Sequence, residues 1–598
     1  MGNELFSLIP SKIGDLLTEV NTGKIGLPDL QRPFVWKDSK ARDLLDSMMK
    51  GYPIGFIMLW ASPDEYESSS HIGSNDKTYQ EPESLVIDGQ QRLTALLASM
   101  HGIKVKDKNY DERKITISFR PLTRDFAVWS SAFDKDPEWI SDIADIFEAD
   151  RNHDVPKFRR GFIRNCNDSR IKKNKPELTE DEEEKIESNI IDLLQLNTYT
   201  LPTLKINSKA TEEDVAEIFV RVNSGGQKLT EKNFIETLLA VYDRDVHEKI
   251  DSFCAESRIA KDGTSYNFII DVDPSYLIRM TVAVGFRRAR LKYAYMLLRG
   301  RKLEKGMKEQ TEESIAETRE TNLAVFKDAL GKVTNLNNWH SFLNLYSEAG
   351  YINRNLVVSS NAVVYCYVLY LIGKYDYKVP PVELNTIIRK WIFMTTITYF
   401  YTGSTESEVE KQFADLRDIH TAEEFVSYLE AVIQNHFSDD YFNITLPNSL
   451  ESSSATSPSW FGYIASLNVL GTPMLFSTTT LASKMLPGAS GNKKAIDKHH
   501  IFPKHYLTEI GIDNDRYRNQ VANFTYLDYN TNIDISDDEP SLYVDRYRKR
   551  LGEDGYRRTC AENALPENFE NMDYFEFLEK RRVLMSGIVK KAYLKLSE

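Results

Sequence analysis

Hydrophobic side chains recur at helical spacing just after Trp36-Lys37, where Leu44, Leu45, Met48 and Met49 share one face of a helix predicted over Asp38–Lys50. Two short unbroken apolar runs in the same region, Gly55–Trp60 (GFIMLW) and Ser84–Ile87 (SLVI), predict strands. After about Ala240 the helical period dominates, and Glu309–Ala329, Val382–Phe400 and Glu406–Leu416 are predicted helices. Ala362–Ile372 (AVVYCYVLYLI) is apolar on every side, which predicts a buried helix. It is far shorter than the ~20 residues a membrane span needs. Acidic Pro176–Glu187 (PELTEDEEEKIE) is predicted to be an exposed helix or loop. Ser-rich Leu450–Trp460 (LESSSATSPSW) fits either a flexible linker or a surface loop inside one domain.

These shifts in pattern divide the chain into three expected regions. Residues 1–239 mix strands and helices, residues 240–448 form an all-α connector, and residues 459–598 carry the strongest chemical signature. A chain of 598 residues is too long for one ordinary core, and it shows no internal repeat. The expected fold class is therefore multidomain α+β.

Composition narrows the class. With 41% hydrophobic and 27% charged residues the chain reads as globular, and Met1–Pro10 lacks the basic and apolar regions of a signal peptide. A cytoplasmic protein with no membrane association is expected. The four cysteines, Cys166, Cys254, Cys366 and Cys560, are scattered without a Cys-x-x-Cys pair. That argues against a disulfide framework or a cysteine-held zinc and predicts reduced structural thiols. The formal charge of −14 is an objection to nucleic-acid binding, because phosphate contacts dominate such affinity. A local basic surface could answer it. Phe286–Lys302 (FRRARLKYAYMLLRGRK) and Arg546–Arg550 (RYRKR) are candidates, although each taken alone reads more readily as a solvated helix face.

The sharpest constellation is Asp497-Lys-His-His-Ile-Phe-Pro503, followed by Asn523 in Ala-Asn-Phe-Thr-Tyr-Leu527 and by Asn532 in Asn-Thr-Asn-Ile533. Phosphodiester hydrolysis needs water activated near neutral pH, a task suited to histidine. It also needs a cation at the leaving 3′-oxygen. Adjacent histidines at a strand end can divide these tasks, because successive strand side chains point to opposite faces. Asparagine does not titrate, but its amide oxygen can hold a hard cation, or its amide can fix a loop through backbone bonds.

A second constellation lies near the N-terminus. Val86-Ile-Asp-Gly-Gln-Gln-Arg-Leu-Thr-Ala-Leu96 reads as strand, glycine turn and helix, a geometry that aims backbone N–H groups at an anion. Arg92 could add a bidentate phosphate donor. Upstream lies Asp29-Leu-Gln-Arg-Pro-Phe-Val-Trp36 and downstream Phe219-Val-Arg-Val-Asn-Ser-Gly-Gly226.

The C-terminal residues resemble the HNH, or ββα-metal, endonuclease motif in the variant found in GmrSD-type modification-dependent restriction enzymes. The likeness extends to Glu539-Pro540-Ser-Leu-Tyr543. The three N-terminal elements are similar to that family's ParB/sulfiredoxin-like domain, whose Gly-x-x-Arg motif matches Gly89–Arg92. The resemblance implies that His500 is the general base and that Asn523 orders the loop and positions the base. It implies His499 and Asn532 as metal ligands, with Asp497 as an extra ligand or orienting carboxylate. It further implies a nucleotide site of Asp88, Gly89, Gln90, Gln91 and Arg92, lined by Gln31 and Arg32, with Arg221 and Asn223 as further candidates. A short Arg-Tyr-Ser-like family element could correspond to Tyr399-Phe-Tyr-Thr-Gly-Ser404, but the arginine is missing and no role is assigned.

The implied activity is a nucleotide-regulated DNA endonuclease with NTPase activity, restricting modified phage DNA. It would use a divalent metal (Mg²⁺ or Mn²⁺) and a nucleoside triphosphate. Expected partners are DNA, in particular modified DNA, and nucleotide, with a homo-oligomer left open. Two alternatives stand beside it: a nucleotide-switched DNA-binding or sensing protein whose HNH domain is inactive, and an RNA-targeting, toxin-like nuclease.

Overall fold

The computed structural model of the chain describes residues 5–26, 36–61, 82–106, 112–210, 214–215, 218–219, 222, 244–298, 300, 311–403, 405–486 and 496–598. The protein is multidomain α+β. Its chain divides into two compact units, Met1–Asp251 and Ser252–Glu598, so the helical stretch and the C-terminal region fall in the same unit.

In the first unit the strands are β1 (Phe6–Lys12), β2 (Ile25–Gly26), β3 (Ile57–Ala61) and β4 (Ser84–Asp88). Two short antiparallel pairs follow, β5 (Val105–Lys106) with β6 (Glu112–Arg113) and β7 (Ile117–Arg120) with β8 (Asp125–Val128), and then β9 (Thr200–Ile206). Five of them build one mixed sheet in the order β1-β9-β3-β4-β2. Within it β3 runs parallel to β9 and antiparallel to β4. The apolar run at Gly55–Trp60 becomes a strand only from Ile57, because Gly55 takes a left-handed φ of 96° that strand geometry excludes.

Helix α1 (Ile13–Asn21) buries Ile13, Leu16, Leu17 and Val20, and α2 (Asp38–Met49) buries Ala41, Leu44, Leu45 and Met48. Both sets follow the i, i+3, i+4, i+7 spacing of an apolar stripe laid on a core. Helix α3 (Gln90–His101) is buried at every position from Leu93 to Met100, so it is the central helix of this core. The acidic stretch begins as a loop and enters a helix at Glu180 through a capping box, in which Thr179 and Glu182 satisfy each other's backbone N–H groups. Its four first-turn carboxylates sit at the positive end of the helix dipole.

The second unit is mostly helical. The predicted buried helix spans Ser360–Tyr375, and all its residues from Ala362 to Gly373 are buried. Helix Pro381–Ile397 stops short of Phe400 because the chain turns at Tyr399, whose φ is 60°. The Ser-rich stretch is a surface loop inside this unit. Leu450 is fully buried, Ser452 O accepts from Val521 N at 2.8 Å, and Ser457 caps helix Pro458–Leu470. Among the described residues no helix is long and apolar enough to cross a membrane.

Four arginines of the two basic segments are paired with carboxylates, and two others meet a hydroxyl and a ring. Arg287 pairs with Asp376, Arg288 with Glu410 at 3.8 Å, and Arg290 donates to Ser407 Oγ at 3.1 Å. Arg546 pairs with Asp538, Arg548 lies 3.4 Å from Glu570, and Arg550 sits over the Tyr547 ring. Carboxylates from neighbouring elements compensate Arg287, Arg288, Arg546 and Arg548, and the sequence window could not show them.

All four cysteines are unpaired by disulfides and buried. Burial pushes the Cys166 and Cys366 thiols up to about 12 and that of Cys560 up to about 11. Thiols held so high stay protonated at neutral pH and react slowly. The folded protein is therefore expected to give no rapid reaction with an aromatic disulfide reagent at pH 8, and four thiols after unfolding. A fast-reacting thiol in the native protein would contradict this burial.

Candidate active site

Strands β10 (Ile496–His500) and β11 (Phe524–Asp528) form an antiparallel hairpin, with His499 opposite Thr525 and His500 opposite Phe524. Helix Tyr529–Ile535 follows β11 directly. It starts there because Asp528 caps it, accepting from Thr531 N at 2.9 Å. Burial works to raise the Asp528 carboxyl, but the hydrogen bonds from Thr531, Ser477 and Asn530 prevail and hold it below the usual range. The hairpin rests on helix Pro458–Leu470, whose buried Trp460 packs against Phe524 and stacks on Tyr526.

This arrangement brings together two residues 33 positions apart. His499 Nδ1 donates to Asn532 Oδ1 at 2.9 Å. Strand alternation places Lys498 and His500 on the face opposite His499. His500 Nε2 lies 3.1 Å from Asn519 Oδ1, and its ring meets the Phe524 ring edge-on at 4.8 Å. Burial pulls the His500 imidazole down to about 4. The Asn519 contact opposes that fall, while Lys504, His499 and Lys498 deepen it. The ring is thus uncharged at neutral pH, the form able to accept a proton.

Asn523 is completely buried, and its amide is spent on backbone. Its Oδ1 accepts from Phe502 N at 2.8 Å, and its Nδ2 donates to Phe502 O at 3.0 Å and Arg518 O at 3.1 Å. It therefore ties the loop leaving His500 to the turn carrying Asn519. Tyr543, from the Glu539–Tyr543 element, donates to Ile501 O at 2.7 Å. The fully buried Arg581 donates to Ala522 O at 2.6 Å, and Tyr574 donates to Tyr517 O at 2.9 Å. Burial lowers the Arg581 guanidinium, and the neighbouring Tyr463 and Tyr543 partly offset this.

Sequence reasoning gave no role to Asn519, Asp528, Tyr543, Tyr574 or Arg581. Only Asp528 had a readable local signal, an aspartate just ahead of a short helix. Asp497 pairs in register with Leu527, and its side chain lies outside the described set. Among the described residues no group of three or more His, Cys, Asp or Glu converges as a metal cluster. Among the described side chains, the Asn532 amide oxygen and the His499 imidazole are the two groups that meet here.

The N-terminal constellation is a strand–turn–helix as expected from its pattern. Asp88 ends β4, Gly89 turns the chain at φ 91°, and Gln90 opens α3. A Cβ at Gly89 would come within 2.3 Å of Ile57 Cδ1, so only glycine fits. The Gln90 amide turns back to donate to Val86 O at 2.9 Å. The Arg92 guanidinium lies against Gly55 and Gly89 and donates to the Phe56 carbonyl. The structure thus seats Arg92 between two glycines, with one of its donors already engaged; Gln91 is half-buried at the start of α3. Gln31, Arg32, Arg221 and Asn223 lie outside the described residues.

Comparison with known proteins matches part of this picture. A family model described as the GmrSD restriction endonuclease, N-terminal domain, matches residues 13–240, which include β2–β9 and the Gly89 turn. An uncharacterized protein of Methanocaldococcus jannaschii, MJ0686, is 23% identical over 589 residues, covering 94% of this chain and 92% of its own. The first unit is thus similar to a restriction-endonuclease domain, and the relative's likeness runs through both units.

Removing the Asn523 amide would strip three backbone partners in a buried place. Asn523→Ala is expected to destabilise the second unit by about 3 kcal/mol, read as a lowered urea midpoint by tryptophan fluorescence. A midpoint indistinguishable from wild type would show that the loops hold their positions without this side chain.

Proposed function

We propose that residues 496–535 form the catalytic centre of a metal-dependent DNA endonuclease of the HNH class, and that the N-terminal unit handles a nucleotide that controls it. The similarity of residues 13–240 to a restriction-endonuclease domain supports a role in restricting foreign DNA. The observation that carries the nuclease reading is the 2.9 Å separation of His499 Nδ1 and Asn532 Oδ1, beside an uncharged His500. Two cis ligands of an octahedral cation with bonds of ~2.05 Å lie ~2.9 Å apart, so the spacing of this hydrogen-bonded pair matches one edge of such a shell, and a cation would take the place of the Nδ1 proton, which moves to Nε2.

His499 and Asn532 would hold Mg²⁺ or Mn²⁺, with Asp497 as a third candidate. When bound, such a cation stabilises negative charge on the phosphate and on the departing 3′-oxygen. His500 accepts the proton of a water attacking in line, and Asn519 holds its ring by Nε2. Asn523, Tyr543 and Arg581 fix the backbone behind it. The expected products carry 5′-phosphate and 3′-hydroxyl ends.

In the N-terminal unit, the turn Asp88–Arg92 is the proposed nucleoside triphosphate site, lined by Gln31 and Arg32. An arginine carries five N–H donors, so the bond from Arg92 to Phe56 O leaves others for a phosphate. NTP hydrolysis there would license cleavage by the C-terminal centre. Recognition of modified DNA and antiviral defence belong to this same reading.

The test is a nicking assay on modified and unmodified plasmid DNA with Mg²⁺ or Mn²⁺ and each nucleotide in turn. His500→Ala should lower the rate by at least about a hundredfold while leaving the circular dichroism spectrum unchanged. Equal cleavage by the variant and wild type would refute the assignment.

A further inference from the structure

Several basic residues around the hairpin lie within reach of a carboxylate, although two of them share one. Arg518 lies 3.0 Å from Asp515, Lys504 lies 3.9 Å from the same carboxylate, and Arg546 and Arg548 are paired as described above. Lys498 differs. It is exposed, and among the described residues no carboxylate pairs with it. Its Nζ lies 4.0 Å from the centroid of the Phe524 ring, the same ring whose face or edge meets His500. A flexible lysine is thereby held on the His500 side of the hairpin, lowering the entropy lost when it binds an anion.

We infer that Lys498 binds the phosphate next to the one on which His500 acts, on the same DNA strand; this rests on the endonuclease reading. Residues two apart on a strand are ~6.8 Å apart and point the same way. That step is of the order of the distance between neighbouring phosphates on one nucleic-acid strand. An ammonium donates three N–H bonds to phosphate oxygens without demanding a fixed fork, which suits a backbone contact that reads no sequence. In a chain of net charge −14, an uncompensated cation here also gives the site a local sign that admits a polyanion.

The experiment uses the full-length chain carrying His500→Ala, so that strands stay intact. Its affinity for a fluorescein-labelled 30-base-pair duplex of ordinary DNA is measured by anisotropy across a range of salt concentrations. Adding Lys498→Gln should weaken binding about fivefold at low salt and make the slope of log affinity against log salt shallower by about one. Lys498→Arg should restore both, and the exposed control Lys591→Gln should change neither. An unchanged slope with Lys498→Gln overturns the inference, as does a parent protein with no measurable DNA affinity. The endonuclease reading fails by a different sign: wild type that cuts no DNA with any divalent cation, whatever the binding slope.

Discussion

The candidate site depends on bringing an imidazole nitrogen and an amide oxygen, 33 residues apart in sequence, to 2.9 Å. Neither atom could be fixed by its own element. β10 sets the position of His499 only because β11 pairs with it in register, and the Asp528 cap then sets where the next helix begins and so where Asn532 falls. Shifting that cap by one residue would turn Asn532 by ~100° about the helix axis and separate the pair. Behind the hairpin, Asn523, Tyr543, Arg581 and Tyr574 each donate to a backbone carbonyl. Backbone anchors hold loops in place whatever residues the loops display, so His500 and Asn519 keep their mutual contact.

An acidic protein can still engage a polyanion if its cations are spent unevenly. Arg287, Arg288, Arg546 and Arg548 are consumed by carboxylates within the second unit. The hairpin keeps Lys498 uncompensated among the described residues, beside an imidazole that burial holds neutral. Surface ion pairs of this kind contribute little stability, about 0–1 kcal/mol each. Their larger effect here is to cancel positive charge at those arginines.

Periodicity made much of the fold legible. The stripe of α2, the apolar runs of β3 and β4 and the fully buried helix Ser360–Tyr375 all carry patterns that one period explains. The missed boundaries have local causes: the positive φ of Gly55 delays β3, and the turn at Tyr399 ends its helix early. In the site, the His-His pair and the two asparagines could be singled out because their types suit the chemistry. Their different duties could not be separated by type. Asn523 and Asn532 look alike in sequence, yet one is sealed in backbone bonds and the other faces an imidazole. Asn519 and Arg581 were illegible because their meaning lies in contacts made across 19 and 59 residues.

The most direct test is anomalous diffraction from crystals of the protein grown or soaked with Mn²⁺. The account predicts one strong peak within bonding distance of both His499 Nδ1 and Asn532 Oδ1, lost in Asn532→Ala crystals. Mn²⁺ bound elsewhere, with those two atoms still hydrogen-bonded to each other, would contradict it.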